Sequence, residues 1–437
     1  MVQVLVAAVI FVVVCFPTWL NAQDCTSQGC GQAEGVSHES CNWLTELSDQ
    51  QTLTGEWSGL RPQLAESGVT FEADVTQLYQ GVAHGGRRER FRHGGHGDYV
   101  TNINFGKMGG PEGLLLKVRA EHRFGETISG DTGAFLPAGL AADLPVLDSN
   151  DVYLTNVLFT QFLSETSAVF FGKLDTLDGD LNAFAHGRGK DQFLNAGFVA
   201  NPALLRFVPY STLGAGFVKI LGPEDILTFS VLNSTDTTAT SGFDELFNDG
   251  VVLNAEGRFR TDFFERPGHQ MFGAAWGNRE FAALQQNPRF LIPGGPVPIS
   301  RKDDSWALYY NFDQFLVTDS DDPTRGWGLF GRAAITDGNP NPIEWFLSLG
   351  IGGNSPLPCR GNDTFGVGWF VNGVTDEFGP VTTALLPLDD GHGVECFYNF
   401  AATNFMHITA DVQVIEPSVS TRGNTAFVTG LRVKIDL

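Results

Sequence analysis

Charged side chains of both signs recur at every second position in several segments of this 437-residue chain. Arg and Lys donate hydrogen bonds and carboxylates accept them, so such a set can bind polar solutes without covalent chemistry. Alternatively, the charges pair between neighbouring strands and only hold the structure together. The candidates for solute contact are Lys117, Arg119, Glu121 and Arg123 in one segment, Glu256, Arg258 and Arg260 in a second, Arg332 in a third, and Arg432 near the end.

Nothing in the sequence indicates covalent or metal-assisted catalysis. The nine His residues are scattered, and no Ser–His–Asp or HExxH arrangement is evident. The cysteines form no CxxC pair and no His/Cys spacing typical of a metal site. The sequence therefore predicts a protein that is not an enzyme and has no cofactor or metal.

Alternation of polar and apolar residues predicts that the charged segments are β-strands. In Thr70–Gln80, TFEADVTQLYQ, apolar side chains occupy one parity and polar side chains the other. Successive side chains of a strand point to opposite faces. Sixteen such strands are predicted, at 69–82, 99–107, 113–124, 152–163, 168–174, 213–221, 226–232, 251–263, 271–278, 306–315, 326–334, 344–351, 365–372, 395–402, 406–415 and 426–437.

The connections between the predicted strands alternate in length. Long ones include 83–98, 125–151 and 175–212, whereas 108–112 and 164–167 are short. Outer-membrane barrels combine long outer loops with short periplasmic turns, and a soluble sandwich has no reason to keep this alternation. We therefore predict an all-β fold, a transmembrane antiparallel barrel of about sixteen strands with a polar lumen. Its first strand begins in the periplasm, so that the long loops face outward.

The first residues have the composition of an export signal. Val2–Val14 is apolar apart from Gln3, and Ala22 offers a small residue for cleavage. We expect a signal peptide at 1–22, a periplasmic tail with a short helix at 23–67, and the barrel at 68–437. The net charge of −23 argues against nucleic acid as a partner.

Several segments resemble the carbohydrate-selective outer-membrane porins. The resemblance rests on LTGEWSGLRPQLAESGVTFEADVTQLYQG (53–81), FFGKLDTLDGD (170–180), GWGLFGRAAITDGNPNPIEWFLSLGIGG (326–353), NDTFGVGWF (362–370), FYNFAATNFMHITADVQVIEP (397–417) and TAFVTGLRVKIDL (425–437). It implies a single-chain barrel of sixteen strands, passive uptake of sugars, and a lumen narrowed by loops that fold inward. Two departures are the final Leu437, where an aromatic residue is usual, and the basic loop 83–98.

The longest connection, 175–212, is the candidate constriction loop. It contains AFAHGRGKDQF, with His186, Arg188, Lys190 and Asp191. Long loops in compact domains are usually functional, and an inward loop can narrow a barrel that its own side chains cannot fill. The alternative is an extracellular loop whose charges are solvated.

The predicted function is passive, carbohydrate-selective diffusion through the outer membrane of a Gram-negative-type bacterium. The alternatives are an anion- or phosphate-type or general porin and, less favoured by the sequence, a barrel enzyme or adhesin. The expected partners are outer-membrane lipid, small sugars as solutes, and the barrel-assembly machinery, which would recognise the C-terminal strand.

Overall fold

Sixteen antiparallel strands close into a barrel. Each barrel strand pairs with the barrel strands before and after it in the sequence, and the last pairs with the first. The computed structural model describes residues 49–291, 297–320, 322–385, 387–418 and 424–437. The expected signal peptide, 1–22, and the tail as far as residue 48 lie outside the described residues.

The strands are β1 Val69–Gly86, β2 Phe91–Asn104, β3 Leu114–Gly125, β4 Tyr153–Ser164, β5 Ser167–Asp175, β6 Ser211–Ile220, β7 Ile226–Asn233, β8 Val251–Thr261, β9 Gly268–Gly277, β10 Phe281–Ala282, β11 Arg301–Lys302, β12 Ser305–Thr318, β13 Gly326–Thr336, β14 Ile343–Asn354, β15 Thr364–Val374, β16 Gly391–Ala401, β17 Met406–Glu416 and β18 Asn424–Asp436. β10 and β11 pair only with each other, and the remaining strands form the barrel. Each predicted strand corresponds to one barrel strand, so the predicted fold class and the number of strands are confirmed.

Helices are short and lie before the first strand or in the connections between strands. The α-helices are α1 Leu60–Ser67, α2 Ser129–Thr132, α3 Ala196–Val199 and α4 Pro380–Leu385. The 3₁₀ turns are Trp57–Gly59, Leu140–Ala142, Thr176–Gly179, Gly187–Gly189, Pro202–Leu204, Phe243–Glu245, Phe263–Glu265 and Pro288–Leu291. Within the described residues, no helix is both long and apolar enough to cross a membrane.

Helix α1 is the predicted N-terminal helix, and it ends where the barrel begins. Gly68 terminates it in the left-handed conformation at φ 100°, and a Cβ there would lie 2.6 Å from the Asn104 carbonyl oxygen. Only glycine combines that backbone angle with so close an approach. The Arg61 guanidinium donates to the carbonyl oxygen of Leu437 at 2.8 Å, so the helix is also fastened to the end of the last strand.

The connections separate into a long-loop end and a short-turn end of the barrel. The long-loop end carries 87–90, 126–152, 176–210, 234–250, 278–304, 337–342 and 375–390, and the short-turn end carries 105–113, 165–166, 221–225, 262–267, 319–325, 355–363 and 402–405. The predicted long loop 83–98 is wrong, because β1 continues to Gly86 and β2 begins at Phe91. Strand ends that project beyond the bilayer can be polar on both faces, so the loss of alternation there did not mark the end of the strand.

Labelling of single cysteines in intact cells would test the predicted orientation. In a background without other cysteines, a residue such as Arg88 at the long-loop end is expected to react with a membrane-impermeant maleimide when it is replaced by Cys. A cysteine at Glu165, in the two-residue connection between β4 and β5, should react only after the cells are lysed. The reverse pattern would place the long-loop end in the periplasm.

Candidate functional site

The connection 176–210 lies inside the barrel and contacts inner-wall residues of several strands. Asn182 donates through Nδ2 to Asn311 Oδ1 on β12 at 2.7 Å, and Asn195 Nδ2 donates to Gln413 Oε1 on β17 at 3.0 Å. Glu395 on β16 accepts from the backbone N–H groups of Leu194 at 2.6 Å and Asn195 at 2.9 Å. The loop therefore crosses the lumen instead of extending into solvent.

The connection 126–152 packs against the first loop inside the same lumen. The carbonyl oxygen of Ala138 accepts from Gln80 Nε2 at 3.0 Å and from Gln413 Nε2 at 2.8 Å. The backbone N–H of Leu140 donates to the Leu194 carbonyl oxygen at 2.9 Å, which joins the two loops directly. The sequence did not indicate that this second loop also enters the lumen, because the loop has no run of charges to distinguish it.

One half of the lumen is filled by aromatic packing. Phe193 of the loop contacts Phe330 on β13 and Phe397 on β16, with ring centroids 5.2 and 4.8 Å apart. Phe198 contacts Phe370 on β15 at 5.5 Å. A Cβ at Gly368 would lie 2.5 Å from the ring of Phe198, so glycine on the wall makes room for the loop. The lumen is therefore polar in only part of its section, because in this half the loop buries the inner face of β13–β16 under aromatic side chains.

The other half of the lumen carries an ion-pair network between the loop and β1–β5. Arg188 contacts Asp178 and Asp175 at 2.6 and 2.7 Å and Glu121 at 3.4 Å. Lys190 contacts Asp74 at 2.6 Å and Asp98 at 2.8 Å. Arg119 reaches Asp98, Asp175 and Asp178, and Lys117 reaches Asp178 at 2.6 Å. These contacts bring together five of the predicted residues: Lys117, Arg119, Glu121, Arg188 and Lys190.

The network keeps its loop residues charged. Burial acts to raise the pKa of Asp178, but the charges of Arg188, Arg119 and Lys117 outweigh it and hold the pKa far below the ordinary range. Burial likewise acts to lower the pKa of Arg188, and Asp175 and the groups around it raise it well above the ordinary value. Burial lowers the pKa of His186, so the imidazole is neutral at neutral pH.

A cavity of about 250 Å³ lies between this network and the loop. Its lining includes Asp98, Arg119, Asp178, Asp180, His186, Arg188, Lys190 and Asp191. Cations and carboxylates thus face the same space. Sequence reasoning missed the acids Asp98, Asp175, Asp178 and Asp180, although three of them stand in the quoted segment FFGKLDTLDGD, immediately after a strand.

Two predicted lining residues, Arg332 and Arg432, hold the loop backbone. Arg332 donates to the carbonyl oxygens of Phe198 at 2.7 Å and Ala185 at 2.5 Å. Arg432 donates to those of Gly189 and Gln192, both at 2.8 Å. Both arginine side chains are fully buried, with exposed fractions of 1% and 0%. A role in solute contact stays a prediction for them, and their observed contacts position the loop.

The remaining predicted residues lie apart from the cavity. Arg123 Nε donates to the Ala142 carbonyl oxygen at 2.6 Å and so holds the second loop. Arg260 is exposed at the short-turn end, where it contacts Glu224 at 2.8 Å. Glu256 accepts from the Tyr309 hydroxyl at 2.6 Å, and Arg258 is half-buried on the same strand. These remaining residues are thus dispersed along the barrel and do not join the network.

Among the described residues, one group has the geometry to hold a metal ion. His96, Asp98 and Glu121 offer ligand atoms within 4.8 Å of one another. Asp98 already contacts Lys190 and Arg119, and Glu121 contacts Arg188. These cations supply the positive charge that a metal would bring.

Comparison with known proteins places the chain in a family. A family model described as "Carbohydrate-selective porin, OprB family" matches residues 88–437. The high-pH structure of Pseudomonas putida OprB aligns with a TM-score of 0.77 at 18% identity, over 89% of this chain and 99% of that chain. The low-pH structure of the same protein gives a TM-score of 0.57 at 14% identity, over 89% and 99%. Salmonella typhi OmpF in complex with daunomycin gives 0.50 at 7% identity, over 85% and 99%.

The structural matches show the fold alone at these identities. No curated protein sequence matches the chain. The family model, in contrast, covers most of the chain, from the β1–β2 turn to the last residue. The chain therefore belongs to the OprB family of carbohydrate-selective porins.

Proposed function

We propose that neutral sugars diffuse through this outer-membrane porin by way of the polar half of the lumen, beside the inward loop 176–210. As a member of its family the protein is a passive channel of the Gram-negative outer membrane. The observation that carries the proposal is the cavity of about 250 Å³ whose lining has both signs of charge. A sugar hydroxyl both donates and accepts, so this lining can replace part of the hydration shell of a sugar.

The charge balance of the network favours a neutral solute over an anion. Its cations are Lys117, Arg119, Arg188 and Lys190, and its carboxylates are Asp74, Asp98, Glu121, Asp175 and Asp178. Carboxylates balance the cations, so a phosphate would meet no excess of positive charge. The anion-porin alternative and the alternative of a barrel enzyme or adhesin have no comparable support.

We also propose how the chain is exported and oriented. Residues 1–22 act as a signal peptide, 23–67 lie in the periplasm, and the long-loop end faces outward. The barrel-assembly machinery recognises β18, the C-terminal strand that closes the barrel.

Block of ion current by sugars in planar bilayers tests the transport proposal. We expect glucose or maltose to reduce the wild-type current, and we expect Arg119→Gln to weaken that block by about tenfold or less. A hydrogen bond to a charged group contributes ~1.5–3 kcal/mol when buried and less in a wet pore. The same substitution should shift the reversal potential in a salt gradient towards cation selectivity.

The matched control is Arg260→Gln, which removes an arginine from the short-turn end, away from the cavity. It should leave the sugar block unchanged. If phosphate blocks the wild-type current and sugars do not, the anion-porin alternative is correct. A protein that forms no channel at all would favour the enzyme or adhesin alternative.

A further inference from the structure

The connection 234–250 folds over the outside of the barrel wall. Arg119 points into the lumen, and Asn156 lies opposite it in the register of β3 and β4. The next residue, Val157, therefore points outward. Lys173 lies opposite Val157 on β5 and points outward as well. Leu213 pairs with Lys173 and shares this outward face. Outward side chains of a barrel are normally open to lipid, yet the exposed fractions of Lys173 and Leu213 are only 7% and 8%. Residues 237–247 of the connection cover them, and we call this covering segment the outer flap.

Hydrogen bonds fix the outer flap on the wall. The Lys173 ammonium group donates to the carbonyl oxygens of Thr237 at 2.7 Å, Thr238 at 3.4 Å and Thr240 at 2.8 Å. An ammonium group has three hydrogens, and here each has an acceptor. The backbone N–H of Phe247 donates to Asn233 Oδ1 at 2.8 Å and secures the other end of the flap.

An apolar groove of about 830 Å³ lies between the outer flap and the wall. The wall side is formed by Phe159, Phe171, Ala215 and Val231, and the flap side by Phe243, Leu246 and Phe247. Phe243 is 72% exposed although it stands in a loop that is otherwise rich in polar residues. Apolar side chains of the wall and of the flap therefore line the groove from both sides, and Phe243 of the flap is also exposed.

The groove lies near the long-loop end of the outer wall. The flap belongs to the connection 234–250, which lies at that end, and Val152 and Tyr153, at the start of β4, line the groove beside it. The groove therefore faces the leaflet at the long-loop end.

We propose that this groove binds one acyl chain of a membrane lipid in the leaflet at the long-loop end. The wall surrounding it faces lipid, the lining is almost entirely apolar, and the flap holds a fixed shape into which a chain can pack. Burial of apolar surface supplies the driving force, and the pre-formed groove reduces the entropy lost on binding. The inference concerns the outer face of the barrel and does not depend on which solute crosses the lumen.

Native mass spectrometry of the full-length, detergent-purified protein tests the proposal. We expect the wild type to retain one dipalmitoyl phosphatidylglycerol and not the dihexanoyl form, which has the same headgroup and shorter chains. Ala215→Trp fills the groove from the wall and should lower the occupancy at least fivefold. The matched control is Ala255→Trp, which also replaces an exposed outward alanine but lies outside the groove.

Channel conductance checks that the variants are folded, because both substitutions point away from the lumen. If Ala215→Trp does not assemble, the double substitution Phe243→Ser and Phe247→Ser removes apolar lining from the flap alone and should give the same loss. Equal lipid retention in the wild type and the assembled groove variant would overturn the proposal. Masses of dimers or trimers that disappear on filling the groove would overturn it as well, because a second copy would then be the occupant.

Discussion

Replacing Arg332 and Arg432 together by Gln is expected to raise the single-channel conductance several-fold and to abolish the block by sugars. Both guanidinium groups donate to backbone carbonyl oxygens of the loop 176–210, and Arg332 also contacts Asp180 at 2.7 Å. A hydrogen bond to a charged group contributes ~1.5–3 kcal/mol when buried, and a glutamine at either position cannot reach all the acceptors. The docked position of the loop therefore loses several kcal/mol.

Weaker binding of the loop to the wall should open the lumen, because the loop fills part of it. Every 1.4 kcal/mol changes an equilibrium about tenfold, so the undocked state should become populated even though Phe193 and Phe198 still pack against the wall. Recordings in planar bilayers would show a larger and noisier current. The single variants should show the same effect to a smaller extent.

This experiment also separates two roles for the same residues. If Arg332 and Arg432 line the sugar path, their loss weakens the block and leaves the conductance near the wild-type value. If they position the loop, the conductance rises. Arg260→Gln serves as the control, since Arg260 contacts Glu224 and Asp262 at the short-turn end and not the loop. Unchanged conductance in the double variant would contradict the positioning role.

The fold was predictable because the strands of a barrel alternate between a lipid-facing side and a polar side, and this alternation is visible in the local sequence. Strands such as β3 and β8 alternate over most of their length, since one face meets lipid and the other meets polar groups. The error at 83–98 has a physical cause: β1 and β2 continue past the membrane, where both faces of the hairpin can be polar. The pair β10–β11 was missed because two-residue strands carry no periodicity.

The site was predictable only in part because alternation assigns a side chain to a face but not to a neighbour. It placed Arg119 and Arg432 on the inner face, yet one meets a cluster of carboxylates and the other meets loop carbonyl oxygens. The aromatic filling was hidden for the same reason. Alternation places Phe330 on the same face as Arg332, yet nothing in the strand indicates that an aromatic loop packs against Phe330 and Phe370 there.

Deleting residues 425–437 is expected to prevent assembly of the barrel. This segment is most of β18, which pairs with β1 from Asp74–Asp436 to Gly86–Asn424 and with β17 along its other edge. Without it, β1 and β17 expose unpaired backbone groups to lipid, where each unsatisfied group costs several kcal/mol. The truncated chain should show no heat-modifiable migration on gels and should be degraded in cells.

A point substitution in the same strand gives a graded test of the closure. Leu431 lies on the outer face opposite Tyr79 of β1 and is 47% exposed, so its side chain meets lipid. Leu431→Arg should destabilise the barrel by up to ~2–4 kcal/mol, the cost of a basic side chain near the bilayer midplane. Leu431→Ile keeps the apolar surface and should assemble normally. Normal heat-modifiable migration of the truncated chain would mean that the barrel closes without β18. Equal stability of the two Leu431 variants would mean that this face does not meet lipid.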